Sequence, residues 1–334
     1  MSPPGSQNQK FNTRRNHLAG TKHRVMKHTY FHTLHIAAAA AVAAVLLSAP
    51  ACTLISPVQS EVPIDFSWVD ITKTPVERPA DMDNFAVWAW LSQRKGETEV
   101  FAREQVYWDS PARSWVYDNT RYWDEGTYTF HALHPFAIAA NAECTADGGL
   151  TISHFTTGSG DIDLMLAAES RTYDPSEPSS ADAVAFSFSH LLSRIYILAS
   201  CPDGCRIDEA RISGITLTGS YTCPSASPDG ASFWILNEGS EGYFTAKDIE
   251  LSADGSTHIF PDGLLLIPQN HDGVTLSVTF KGCEPIHLSL PASPAWQAGK
   301  SYRYQLTFPT PDSTPTVDIT VSDWTDTDVA VDRP

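Results

Sequence analysis

Charge is scarce in this chain of 334 residues, where Asp, Glu, Lys and Arg together make up 18%. Positive charge is scarcer still. Six of the 22 basic residues and none of the 39 acidic ones precede Cys52, leaving 16 against 39 beyond it and a net charge of −23. Phosphates need cations to neutralise them, so this balance argues against a nucleic-acid partner. Its ordinary consequence is solubility. Helical periodicity is also missing: beyond one apolar run near the N-terminus, no segment repeats apolar residues at a spacing of 3.6. Catalytic signatures are absent too. There is no Gly-x-Ser-x-Gly, His-Glu-x-x-His, phosphate loop or EF-hand. The expectation is a protein that is not an enzyme and holds no cofactor.

What the chain does have is proline (23), glycine (19) and many Thr, Ser, Tyr and Trp residues. That is the composition of short strands and turns. The length suffices for two domains of ordinary size.

The N-terminus reads as an address. Residues 35–51 are rich in Ala, Leu and Val, follow a basic stretch, and end Leu-Ser-Ala-Pro-Ala before Cys52. This is the pattern of a secretory signal over residues 1–51, in which Met26 also fits as the start. Ala49-Pro50-Ala51 suits ordinary signal peptidase. Alternatively Cys52 is the lipidated first residue of the mature protein, its acyl chains forming a stable membrane anchor. We take Cys52 as the lipidation site.

Along the mature chain the period is two. In residues 61–73, Ile64, Phe66 and Trp68 share one face of a strand, which Thr74-Pro75-Val76-Glu77-Arg78-Pro79 then breaks. In residues 85–91, Phe85, Val87 and Ala89 share one face, Trp88 and Trp90 the other. Further strands are expected at 100–101, 105–108, 114–117, 126–133, 150–155 and 163–168. Trp88, Trp90, Trp108, Trp115 and Trp123 crowd this half. They either fill the core and seams of a sandwich or form an exposed platform for glycans. Residues 171–182, polar and rich in proline, supply a boundary between residues 52–178 and 179–334. Beyond it, residues 184–198 read as the first strand pair of a second domain, with a tucked turn pinning Leu191 and Leu192 in the core. Strands at 206–217, with Gly214 as a bend, and at 232–236, 243–246, 263–267, 273–280, 286–290, 301–308 and 316–324 follow. Regular short strands with turns between them indicate antiparallel β-sandwiches.

Few residues invite site chemistry. Cys201 and Cys205 flank a turn and form either a disulfide or two free thiols; a four-thiolate zinc site lacks the paired spacing it needs. His131 and His134, three apart in a strand, point to opposite faces and make poor co-ligands. Asp161 and Asp163 share a strand face and could hold a cation. For His190, a ring hydrogen bond to the tucked turn is the favoured role.

Five pieces in order carry a resemblance. They are Tyr128-Thr-Phe-His-Ala-Leu-His-Pro135, Asp163-Leu-Met-Leu-Ala167, His190-Leu-Leu-Ser-Arg194, Leu264-Leu-Leu-Ile-Pro-Gln269 and Trp296-Gln-Ala-Gly-Lys-Ser-Tyr302. The chain resembles the fimbrillin (Mfa-like) lipoproteins of Bacteroidetes, subunits of chaperone-independent, protease-activated (type V) pili. The resemblance implies an all-β chain of two antiparallel, transthyretin-like sandwich domains after a signal peptide. It implies a lipid-anchored surface protein of the fimbrium, a pilus subunit or pilus-associated adhesin whose partners are other subunits joined by strand donation. In polymerising members an Arg-specific protease cuts after the first strand. Arg78 stands at the matching place as the processing candidate, but Pro79 follows it, and Arg-Pro bonds are poor substrates; the other reading is a solvated turn arginine. The alternative function is a glycan-binding surface lipoprotein using the Trp-rich first half.

Overall fold

A computed structural model describes residues 61–69, 75–76, 82–147, 149–202, 205–223, 233–252, 257–291 and 293–324, with the side chains of 68–69 and 75–76 left aside. They lie within one compact unit. The signal region, Met26, Cys52 and Arg78 fall outside the described residues.

The fold is nearly all β, with two short 3-10 turns, Phe136–Asn141 and Pro178–Ala181, among the described residues. Its centre is an antiparallel six-stranded sheet in the order Ser189–His190, Met165–Tyr173, Gly126–His134, Asn84–Gln93, Gly96–Asp109, Ser114–Tyr117. The alternation read in residues 85–91 is real, but both of its faces are buried. Phe85, Val87, Ala89 and Leu91 enter one hydrophobic cluster, while Ala86, Trp88 and Trp90 enter another. A strand apolar on both sides fits between two layers.

On the first face lies a three-stranded sheet, Val184–Phe186, Phe66–Val69 and Pro75–Val76. The second face shares its cluster with the sheet Phe233–Leu236, Thr218–Cys223, Leu150–Thr156, Ala142–Cys144. The remaining strands pack around a third cluster. One of its sheets joins Ser193–Ser200 to Lys300–Thr307, Thr316–Asp323 and two short strands; the other runs Glu241–Glu250, Arg206–Thr216, Thr275–Phe280, Ile286–Ser289. Gly214 bends Arg206–Thr216 as expected: its φ is +81°, the register slips beside it, and a Cβ there would lie 2.6 Å from the Gly273 carbonyl oxygen.

Two findings differ from the sequence reading. The pairing is not purely antiparallel, because Phe66–Val69 runs parallel to Val184–Phe186 and Ser193–Ser200 parallel to Lys300–Thr307. Parallel partners need a long connection, and about a hundred residues or more separate each pair, so local patterning does not reveal them. Also, residues 184–190 pair with strands of the first half, 184–186 with the first strand and 189–190 with Met165–Tyr173. Only from Ser193 does the chain join the later sheets. The tucked turn does bury Leu191 and Leu192, both at the seam between the halves.

Candidate functional site

Two sets of backbone bonds hold the segment from Val62 to Val69, one to residues 121–123 and one to the strand Val184–Phe186. At its start, the Ile64 N–H donates to the Arg121 carbonyl at 2.9 Å, and the Trp123 N–H donates to the Val62 carbonyl at 2.9 Å. The Tyr117 hydroxyl donates to the Ile64 carbonyl at 2.8 Å. Further on, the Val184 N–H donates to the Asp65 carbonyl at 2.7 Å, and the parallel register sets Phe66 beside Val184.

Side chains seat it as firmly. Ile64 is fully buried and Phe66 is 6% exposed. Phe66 stacks on Phe186 at 5.7 Å and meets the edges of Phe101 and Tyr117 at 5.5 Å, with Phe85 and Phe130 slightly farther. Five rings around a sixth make a socket, since edge-to-face pairs add about 0.5–1.5 kcal/mol each beyond area burial. Burial raises the Tyr117 phenol above its ordinary range, against the bond from the Arg121 backbone that lowers it. The sequence marks Trp123 as one of the crowded tryptophans but gives no role to Tyr117 or Arg121, for which the aromatic run 115–123 is the available signal.

The tryptophans settle one alternative. Trp88, Trp90, Trp115 and Trp123 are 4–8% exposed, and half-buried Trp108 packs edge-on to Trp115 at 5.4 Å. They are core and seam, so the alternative of a glycan platform built from these tryptophans loses its support.

A second arrangement surrounds the signature His190-Leu-Leu-Ser-Arg194, the middle one of the five motifs. The His190 ring stacks on Trp324 at 3.7 Å, and its Nδ1 meets Asp163 Oδ1 at 2.9 Å. Nδ1 thus bonds a carboxylate of the Asp163-Leu-Met-Leu-Ala167 motif, a partner that the expectation of a bond to the tucked turn did not include. The Arg194 guanidinium lies 4.8 Å from the Tyr196 ring and 5.5 Å from Trp324. The signature thereby clamps the end of the final strand, whose Trp324 N–H also donates to the Gly299 carbonyl at 2.9 Å.

No ligand cage forms from the candidates. Asp163 serves His190, while Asp161 accepts from Ser159 Oγ at 2.6 Å. Cys201 and Cys205 are joined as a disulfide, which removes them from any thiolate set. The Cys144 thiol is pushed up to about 12, chiefly by burial. His134 Nδ1–H donates to the Asn84 carbonyl at 2.6 Å, and burial lowers its pKa. Among the described residues, no three His, Cys, Asp or Glu side chains are grouped to hold a metal.

The sequence profile of the fimbrillin-like family matches residues 72–324. The chain belongs to the fimbrillin-like family. The matched span ends at Trp324, the residue the signature clamps. Three solved structures share the fold. A fimbrial protein from Bacteroides vulgatus superposes with a TM-score of 0.54 at 18% identity, covering 79% of this chain and 99% of its own. A candidate cell adhesion protein from Bacteroides uniformis gives 0.54 at 17%, covering 80% and 100%. Another from Bacteroides ovatus gives 0.53 at 18%, covering 79% and 97%. No curated protein matches the chain. Membership in this family supports a fimbrial role at the cell surface in association with other pilus subunits, and it suggests a structural protein over an enzyme.

Proposed function

We propose that this fimbrillin-like chain is a surface lipoprotein that acts as a pilus subunit or pilus-associated adhesin and joins its neighbours by strand addition. The observation carrying the reading is the first strand, held by backbone bonds along its length and by the socket around Phe66. A strand held this way is replaceable in kind: main-chain bonds supply affinity and the alternating pockets supply register. Removing it would open a groove lined by Phe85, Phe101, Phe130 and Phe186. Exposing such side chains costs about 1.5–3 kcal/mol each, which drives a neighbour's strand to refill it.

In this reading Cys52 carries the lipid and anchors the protein in the outer membrane. Two domains make up the mature chain in this reading, and the boundary expected between residues 178 and 179 moves past His190, because residues 184–190 pair with strands of the first half. Pro79 protects the Arg78 bond, so the first strand stays in place and the subunit caps or anchors a pilus.

The purified surface form tests this. An N-terminus at acylated Cys52 on a protein that runs as a monomer supports the cap-or-anchor role. An N-terminus after Arg78, with ladders that resist mild SDS, means the subunit polymerises. A mature Cys52 without acyl mass removes the anchor.

A further inference from the structure

A surface cavity of about 370 Å³ opens in the second half of the sequence, remote in the chain from the first strand. Buried Tyr221, Gln269 and Trp296 line it, together with Phe233, Trp234, Pro268 and the exposed residues Asn270 and Gln297.

These buried residues are already fixed. Gln269 accepts from the Thr216 N–H at 3.0 Å and donates through Nε2 to the Thr216 and Ile267 carbonyls at 3.1 and 3.0 Å. The Trp296 ring stacks on His271 at 4.5 Å, and its N–H donates to the Tyr304 hydroxyl at 3.0 Å. Trp234 is fixed as well: its N–H donates to the Leu191 carbonyl at 3.0 Å, and its ring leans on Tyr221 at 5.3 Å. Binding here would spend little on ordering the site.

Phe233 is different. It is 48% exposed and presents an aromatic ring to solvent at the cavity. Gln297 and Asn270 add side-chain amides to the lining, with Asn270 Nδ2 already donating to Asp272 Oδ2 at 2.9 Å. No residue lining the cavity carries a charge, in a chain whose net charge is −17.

We infer that this cavity binds a neutral carbohydrate, a terminal hexose or N-acetylhexosamine of a surface glycan. A sugar ring has an apolar C–H face to lay on Phe233 and hydroxyl edges for amides that both donate and accept. The uncharged lining gives no counter-ion to a uronate, a sialate or a phosphate. The cavity's volume lies at the low end for ligand pockets, which suits one or two sugar units and not a long chain. A proline-rich peptide also packs on aromatic rings, but it needs an extended groove for its polyproline II helix.

The test is saturation-transfer NMR of the purified mature protein with glucose, galactose, mannose, N-acetylglucosamine and N-acetylgalactosamine. A glycan array and a proline-rich peptide panel accompany it. Saturation of one neutral sugar's C–H face is expected, together with array binding to glycans that end in it. Phe233→Ala and Gln297→Ala should each weaken the affinity about tenfold or more with the melting temperature unchanged, and Tyr243→Ala, at an exposed tyrosine outside the cavity, should leave it intact. Absence of any neutral-sugar signal overturns the inference. So does preference for acidic glycans or the peptides, or binding that survives both cavity variants. None of these outcomes bears on the seating of the first strand, which is read from the mature N-terminus.

Discussion

At the scale of single residues, Phe66 has the most at stake. Its ring fills a socket of five others, so Phe66→Ala leaves both lost burial and a cavity. We expect a loss of about 3–5 kcal/mol, read by urea unfolding. Tyr117→Phe removes the hydroxyl that donates to the Ile64 carbonyl and accepts from the Arg121 N–H, and a loss of about 1–3 kcal/mol is expected. If Tyr117→Phe matches Phe66→Ala in cost, the socket is not what seats the strand. His134 makes a prediction in pH. Burial lowers its pKa, so the folded protein favours the neutral ring. The stability this contributes is present above the unfolded value, about 6.5, and fades as pH falls below it. His134→Gln should flatten the decline in stability between pH 7 and 5, measured by chemical unfolding at each pH.

At the scale of elements, the first strand should behave as a removable part. A variant lacking residues 61–69 is expected to bind a hydrophobic dye strongly. A synthetic peptide of those residues should suppress the dye signal and raise the melting temperature, while the same peptide with alanine for Phe66 should do neither. Much of this element was legible, because Ile64 and Phe66 sit at alternate positions and a period of two exposes a face directly. The tryptophan-bearing strand, Asn84–Gln93, was legible as a strand for the same reason. What covers each face was not. Alternation says that two faces differ, and here one apolar face meets Phe66 and the other meets Tyr221 and Leu192. The same limit hid the role of His190: the motif was visible, yet its stacking partner Trp324 lies 134 positions on, beyond the reach of local pattern. Cys201 and Cys205 could not be assigned from spacing alone, since a short turn fits either a disulfide or two thiols.

At the scale of the whole molecule, Asn84–Gln93 is a shared wall, flanked by strands on both edges and by side chains on both faces. Its amides should therefore be among the slowest in the protein to exchange hydrogen with solvent. Amides in the exposed edge strand Thr316–Asp323 should exchange orders of magnitude sooner, and native-state exchange with mass spectrometry distinguishes the two. If the wall exchanges as fast as the edge, the clusters on its two faces are not packed as described. The two parallel pairs have a different consequence, a mechanical one. A pull between the chain's ends tugs Phe66–Val69 by its leading end and Val184–Phe186 by its trailing end. Ser193–Ser200 and Lys300–Thr307 are loaded in the same sense, over seven matched positions. Along the strands, such a pull slides each pair like a lap joint, straining every cross-link together, where an antiparallel hairpin would peel open one rung at a time.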